Sequence, residues 1–168
     1  MEFLKSIFIF LMLICSQCPA QTPSYPKILH YIQDELPQQG ILKSSNGFVY
    51  VDVDNAYIHK LVTFIQKDGF EKPPYFGSTD LVGAHISVIY QDEMKRYGIG
   101  EIEECGETIE FRATGCNIVH PHKWKEMDEV YFVVVEAPEL DQIRKKYGLP
   151  KREYDFHITI GVKHKAAM

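Results

Sequence analysis

Apolar side chains recur at the three- and four-residue spacing of amphipathic helices in three parts of the chain. Pro37 ends the first pattern. Asn55 is the expected N-cap of the second, and Gly69 its stop. The third begins with Pro138 and carries acids in its first turn and bases in its last. The pattern therefore predicts helices over residues 25–39, 55–69 and 138–148, and a short helical turn over residues 91–98.

Between these helices lie short segments that are rich in β-branched and aromatic residues and bounded by turn-forming residues. They predict strands over residues 46–53, 81–90, 107–114, 129–137 and 154–162. The mixed order, with adjacent strands along the chain, favours an α+β fold over a doubly wound α/β fold. Two strand–helix–strand halves are visible, over residues 48–90 and 129–162.

The last strand of each half has one apolar face and one face that carries chemistry. Side chains alternate between the two faces of a strand. In residues 81–90 every even position is apolar, and the odd positions include His85 and Ser87. In residues 154–163 the even positions are again apolar, and the odd positions include His157 and Thr159. On each odd face a glycine lies two residues from a motif residue, Gly83 from His85 and Gly161 from Thr159, which we take to leave room for a ligand.

Two histidines and two hydroxyls that converge on one centre suit displacement at phosphorus. One imidazole can deprotonate the nucleophile while the other protonates the leaving oxygen. The hydroxyls can hold the non-bridging oxygens. A single histidine beside a serine is more often a hydrogen-bonded, half-buried structural residue. The occurrence of His85-x-Ser87 and His157-x-Thr159 in matching contexts favours the functional interpretation.

The first twenty residues predict export. A short apolar run follows Lys5, and small residues precede the expected cleavage after Ala20. The run is shorter than the roughly 20 residues of a spanning helix, so we expect no stable membrane insertion once the signal peptide is removed. Residues 21–168 have the composition of one globular domain, which we expect to be a monomer.

The formal net charge of −5 argues against binding of long nucleic acid, which requires many phosphate contacts. A small ligand that bears a phosphate needs only a few local donors. Of the four cysteines, Cys105 and Cys116 lie beyond the signal peptide, and export would permit a disulfide. The strand predicted between them would hold the two residues far apart, so we favour free thiols.

The paired motifs, "HIS" at 85–87 and "HIT" at 157–159, resemble those of the two-histidine (2H) phosphoesterases. The segments "FHITIGVK" and "PELDQIRKKYGL" are similar to that family's second lobe, and the resemblance extends over residues 46–163. It implies a bilobal α+β fold, with two pseudo-symmetric antiparallel-sheet lobes, helices outside and a central cleft.

The resemblance also implies an activity. The substrate would be a cyclic phosphate, either a small 2′,3′-cyclic nucleotide or an RNA end, cleaved without a metal or other cofactor. We assign His157 as the base and His85 as the acid, in an arrangement that is nearly symmetric. Ser87 and Thr159 would bind the phosphate. A non-catalytic nucleotide-binding module with the same cleft is the alternative, and an interaction protein with structural histidines is a third.

Other residues near the two motif strands are candidate substrate contacts. Tyr131 lies on a strand expected to neighbour the second motif, and Lys163 shares the face of His157. Phe76, like its neighbour Tyr75, precedes the first motif and could stack on a base. The loop from His120 to Trp124 could cover the cleft, but its histidines lack partners at convincing metal-ligand spacing.

Overall fold

The computed structural model describes residues 25–77 and 82–165. The predicted signal peptide over residues 1–20 lies outside this part of the chain. Within the two described ranges, no helix is long and apolar enough to cross a membrane.

Four helices and seven strands occur in the described part of the chain. The helices are α1 (Tyr25–Glu35), α2 (Ala56–His59), α3 (Gln91–Tyr97) and α4 (Pro138–Lys146). Short 3-10 turns occupy Leu61–Phe64, Gln66–Asp68 and Pro74–Gly77. The strands are β1 (Gln39–Ser45), β2 (Phe48–Val53), β3 (His85–Ile89), β4 (Thr108–Glu110), β5 (Arg112–Val119), β6 (Met127–Glu136) and β7 (Phe156–His164).

All seven strands belong to one antiparallel sheet, in the order β4-β1-β2-β3-β7-β6-β5. The predicted α+β class is confirmed. The strands β4, β1, β2 and β3 form one half of the sheet, and β7, β6 and β5 form the other. The two halves join where β3 pairs with β7 through Ile86 and Ile158. The two motif strands are therefore direct neighbours at the middle of the sheet.

The sheet curls back on itself, as the chain connectivity shows. β4 and β5 lie at opposite edges of the sheet, yet Phe111 alone separates them in sequence. Two successive Cα steps span at most about 7.6 Å. The two edges must therefore meet at this residue. We call this meeting point at Phe111 the seam. Gln38 holds it with two hydrogen bonds: its main-chain carbonyl accepts from Phe111 N at 3.0 Å, and its Oε1 accepts from Ala113 N at 2.7 Å.

The prediction of one strand over residues 107–114 is thus wrong, since the segment divides between two edges of the sheet. β1 was not predicted, because its residues mix polar and apolar side chains without a long alternating run. Its buried Gly40 permits a close approach to β2. A Cβ there would lie 2.4 Å from the carbonyl oxygen of Asp52.

The helix predicted over residues 55–69 is also wrong in its regularity. α2 makes one turn and gives way to 3-10 turns. Three β-branched residues in this stretch, Val62, Thr63 and Ile65, lower its helix propensity. Asn55 makes no capping bond, because its Oδ1 instead accepts from Ala84 N at 2.9 Å. Gly69 ends the segment in the left-handed region, with φ of 87°, as predicted.

The even positions of both motif strands are buried in the core, which confirms the predicted alternation for the strand interiors. Ala84, Ile86 and Val88 are fully buried, as are Ile158 and Ile160. α1, α2 and the turn that follows α2 contribute further apolar side chains to the same core. The pattern fails at the strand ends, which lie outside the sheet: Tyr90 is 43% exposed and Tyr154 is 70% exposed.

Candidate active site

The two motifs face each other across the β3–β7 pair. With Ile86 opposite Ile158 in an antiparallel register, His85 falls across from Thr159, and Ser87 falls across from His157. The four side chains are half-buried, while the residues between them point into the core. The pairing brings two imidazoles and two hydroxyls together on one face of the sheet.

Both imidazoles are held in the same way. Nδ1 of His85 lies 2.8 Å from the carbonyl oxygen of Gly83, and Nδ1 of His157 lies 3.0 Å from that of Asp155. A carbonyl can only accept, so each Nδ1 carries the proton. Each Nε2 is then left to accept or donate a proton toward a ligand. The mirrored bonds give the two rings the same tautomer on opposite sides of one centre.

The glycines of the odd faces have structural roles, contrary to our expectation that they leave room for a ligand. Gly83 adopts φ of +70°, and a Cβ there would lie 2.6 Å from Oδ1 of Asn55. This conformation aims the Gly83 carbonyl at His85. Gly161 makes room for the core, since its Cβ would lie 2.7 Å from Ile65 Cδ1.

Burial lowers the pKa of both histidines, because it disfavours the charged imidazolium. The carbonyl bonds act in the opposite direction on each ring. The charged neighbours differ. Asp52 favours the protonated form of His85. Arg152 and His85 itself disfavour the protonated form of His157, whereas Asp155 has a smaller effect in its favour. The two sides of the site are geometrically alike, but an arginine acts on the His157 imidazole only.

β2 supplies the neighbours on the His85 side. Asp52 is the register partner of His85, and it forms an ion pair with Lys43 of β1 at 2.5 Å. Two aromatic rings meet the His85 ring edge-on: the Phe48 ring at 5.7 Å and the Tyr50 ring at 6.0 Å between centroids. These rings stack on each other at 5.3 Å and form an aromatic wall beside His85.

On the His157 side lie Phe132 and Arg152. The Phe132 ring is 4.7 Å from the His157 ring, and Phe132 is the register partner of Thr159. Arg152 comes from the loop that precedes β7, and its guanidinium donates to the carbonyl of Ser87. Arg152 was missed by sequence analysis, because a charged residue in a polar loop carries no periodic signal.

A family model for the Swiss Army Knife 2H phosphoesterase domain matches residues 49–167, which include both motifs and most of the chain. The chain belongs to the 2H phosphoesterase family. No curated protein and no solved structure matches it. The predicted resemblance is confirmed, and the coarse activity of the family is that of a phosphoesterase.

Tyr75 completes the site of this 2H domain. Its hydroxyl hydrogen-bonds the Thr159 side chain, and its ring lies 5.5 Å from the ring of His85. On its other side it stacks on Trp124 at 6.4 Å, which brings the loop from His120 to Trp124 to the border of the site. Burial raises the pKa of Tyr75 to about 12, and the bond to Thr159 opposes this shift. The hydroxyl is therefore neutral and can serve as a donor.

Three predicted substrate contacts lie elsewhere. Tyr131 is 1% exposed and packs edge-on against Phe70 at 5.5 Å, so a substrate cannot reach it. Phe132 is the register partner of Thr159, whereas Tyr131 lies opposite Gly161, on the other side of a register shift. Lys163 bonds Glu129 at 2.6 Å, with its ammonium over the Phe70 ring, which leaves no phosphate role to assign.

Phe76 also turns away from the two motifs. Its ring lies 4.5 Å from that of His59, and Lys72 lies over it at 5.6 Å. The prediction chose the wrong member of the Tyr75–Phe76 pair, because neighbouring loop residues cannot be assigned to a side of the chain by periodicity. His120 bonds the carbonyl of Asp128 at 2.8 Å. Within residues 25–77 and 82–165, no group of three or more potential metal ligands occurs.

Cys105 and Cys116 are free thiols, as expected. Cys105 is exposed, whereas burial raises the pKa of Cys116 to about 12. Cys116 is therefore an unreactive thiol at neutral pH.

Proposed function

We propose that this 2H phosphoesterase hydrolyses a cyclic phosphate, either a 2′,3′-cyclic nucleotide or the cyclic phosphate at an RNA end. The main support is the mirrored pair of histidines, each with Nδ1 fixed by a carbonyl and Nε2 left for chemistry. A cyclic phosphodiester is opened by one attack and one departure on opposite sides of phosphorus. That reaction needs one base and one acid on opposite sides.

In the proposed reaction, Nε2 of His157 removes a proton from water, and the water oxygen attacks phosphorus. The bond from phosphorus to one ribose oxygen breaks as the new bond forms. Nε2 of His85 gives its proton to that leaving oxygen. Asp52 beside His85 and Arg152 beside His157 support this order, since the acid must begin protonated and the base neutral.

The hydroxyls of Ser87 and Thr159 would donate to the non-bridging oxygens, with Tyr75 beside Thr159. The reaction as written moves only protons and a phosphoryl group, so we propose that it needs no metal ion. The apolar N-terminal run and the acidic charge support export and a small substrate.

Turnover tests the proposal directly. The purified chain would be incubated with 2′,3′-cyclic nucleotides, an RNA that ends in a cyclic phosphate, and 2′-5′-linked dinucleotides, with and without a chelator. We expect the chain to hydrolyse a cyclic phosphate, and we expect the chelator to leave the rate of hydrolysis unchanged. His157→Ala and His85→Ala should each reduce it by roughly 10²–10⁴, the usual contribution of general acid–base catalysis.

Full activity in the double variant would exclude this mechanism. A chain that binds these nucleotides before and after His→Ala substitution, but turns none over, would instead be a binding module. Export would be tested separately, by sequencing the N-terminus of the chain recovered outside the cytoplasm. An intact N-terminus would contradict cleavage after Ala20.

A further inference from the structure

Arg152 lies where two elements of the site meet. It belongs to the loop between α4 and β7, and its guanidinium donates to the carbonyl of Ser87 on β3. It also hydrogen-bonds Tyr90 and lies over two rings, 4.7 Å from that of Phe156 and 5.8 Å from that of Tyr90. Packing against rings and a carbonyl fixes the guanidinium near His157.

Arg152 and Arg144 share a single carboxylate, that of Glu93, which acts on both guanidiniums but pairs with Arg144. Arg152 forms no ion pair with a carboxylate within the described ranges 25–77 and 82–165. The neighbouring Arg144, by contrast, pairs with Glu93 at 2.8 Å. Burying a cation without a counter-charge is unfavourable, and burial lowers the pKa of Arg152. A guanidinium nevertheless stays charged, so this side of the site has an unbalanced positive charge.

The bonds to Ser87 and Tyr90 use part of the guanidinium's capacity. The group has five N–H donors in a rigid fork that matches two oxygens of a phosphate. Arg152 is half-buried, so part of its side chain remains accessible to solvent. Its position at Ser87 places those donors near one of the two hydroxyls that would hold the phosphoryl oxygens.

We propose that Arg152 anchors the substrate's phosphoryl group, whose negative charge supplies the missing counter-charge of the guanidinium. The inference rests on the proposed function and deepens it. It names a third phosphate-binding group besides the two hydroxyls, located on the His157 side. An oxyanion bound there would also offset the repulsion between Arg152 and a protonated His157.

Arg144 is a positioning residue for this anchor. It is 4% exposed and donates to the carbonyl of Val88 at 2.7 Å and to that of Pro150 at 3.1 Å. These bonds tie the start of the Arg152 loop to the end of β3. Glu93 neutralises Arg144 and accepts from Tyr90 N at 2.9 Å, so the same network also holds the ring under Arg152.

Titration with inorganic phosphate tests the anchor without turnover. Arg152→Met keeps the apolar stem against Phe156 and removes the charge. We expect at least about tenfold weaker phosphate binding, since hydrogen bonds to charged groups have that effect. Arg96→Met is the matched control, because Arg96 is an exposed arginine on α3 paired with Asp92, and its substitution should leave phosphate affinity unchanged.

A pH titration of the imidazole signals by NMR adds a second measurement, which depends on the charge of Arg152. The groups that act on His157 are Arg152, His85 and Asp155. Removal of Arg152 should raise the pKa of His157 and move that of His85 less. If Arg152→Met does not fold, Arg152→Gln lacks the charge but keeps a donor for the Ser87 carbonyl, and the same results are expected from it.

Unchanged phosphate affinity in a folded neutral variant would overturn the assignment, whatever the His157 titration shows. The outcome is independent of the proposed reaction. Phosphate binding that depends on Arg152 in a protein with no cyclic phosphodiesterase activity would refute the reaction alone. Turnover of a cyclic phosphate with binding that does not depend on Arg152 would refute the anchor alone.

Discussion

The two halves of the site share one geometry but not one chemical environment. In each, a strand carries a histidine whose Nδ1 bonds the carbonyl two residues earlier. His85 then has an aspartate as its register partner, whereas His157 has an arginine nearby. The repeated scaffold therefore positions two equivalent imidazoles, and the residues around them give the pair a direction.

The apolar neighbours differ as well. Phe48, Tyr50 and Tyr75 all direct rings at the imidazole of His85. The charged group of Arg152 lies at the other end, together with Phe132. Under the proposed chemistry, a phosphodiester would lie with its charged oxygens toward Arg152 and its leaving group toward the rings. The following predictions test this difference between the halves, from the largest effect to the smallest.

Removal of the hydroxyls tests whether the halves hold phosphate equally. Ser87→Ala and Thr159→Ala should each lower kcat/KM by about 10- to 150-fold, which corresponds to the roughly 1.5–3 kcal/mol of a hydrogen bond to a charged group. Steady-state kinetics on a cyclic nucleotide measures both effects. Ser87→Thr keeps the hydroxyl and copies the second motif, so it should remain near wild type. A Thr variant as impaired as the Ala variant would show that the two motifs are not interchangeable in shape.

Asp52→Asn tests the charge on the acid side. Loss of the carboxylate removes a group that favours protonated His85, so the pKa of His85 should fall. The acid must be protonated, and activity is lost as pH rises through its pKa. The alkaline limb of the kcat/KM profile should therefore move to lower pH, while Arg152→Met should move the acidic limb to higher pH.

Both limbs of the wild-type profile should lie below the ordinary histidine value of about 6.5, since burial lowers both pKa values. Apparent values belong to the coupled pair, so imidazole titration by NMR should accompany the rates. Asp92→Asn, at an exposed position on α3, is the control for loss of one carboxylate. Limbs that stay in place in both charge variants would contradict the assigned direction.

Tyr75→Phe should have the smallest effect. The ring would remain against His85 and Trp124, and only the bond to Thr159 would be lost. A net hydrogen bond contributes about 0.5–1.5 kcal/mol, so kcat/KM should fall by roughly 2- to 13-fold. Tyr97→Phe, on a ring that is 43% exposed, should change nothing. A loss as large as that of Thr159→Ala would mean that the Tyr75 hydroxyl itself binds the substrate.

The sequence was sufficient for the motifs because alternation along a strand is a local property. Four residues on two odd faces could be assigned to one site from periodicity and the repeat alone. Their neighbours could not. Asp52 reaches His85 through the pairing of β2 with β3, whose register shifts between Val49 and Tyr50. A similar shift in β6 separates the predicted Tyr131, opposite Gly161, from Phe132, opposite Thr159.

Non-local contacts also explain the errors in the fold. Nothing in the sequence from Thr108 to Val119 indicates that the chain changes sheet edge at Phe111. The break in the second predicted helix depends partly on Asn55, which bonds Ala84 and not its own helix. Arg152 became a candidate only when the structure showed its bond to the carbonyl of Ser87.

The seam at Phe111 has a mechanical consequence for the site. The two halves are joined on one side by the β3–β7 pair and on the other by a single residue. Because the halves are connected at both places, they cannot move far apart without disrupting strand pairs of the sheet. The distance between the two imidazoles is therefore constrained by the pairing within the sheet as well as by the loops around the site.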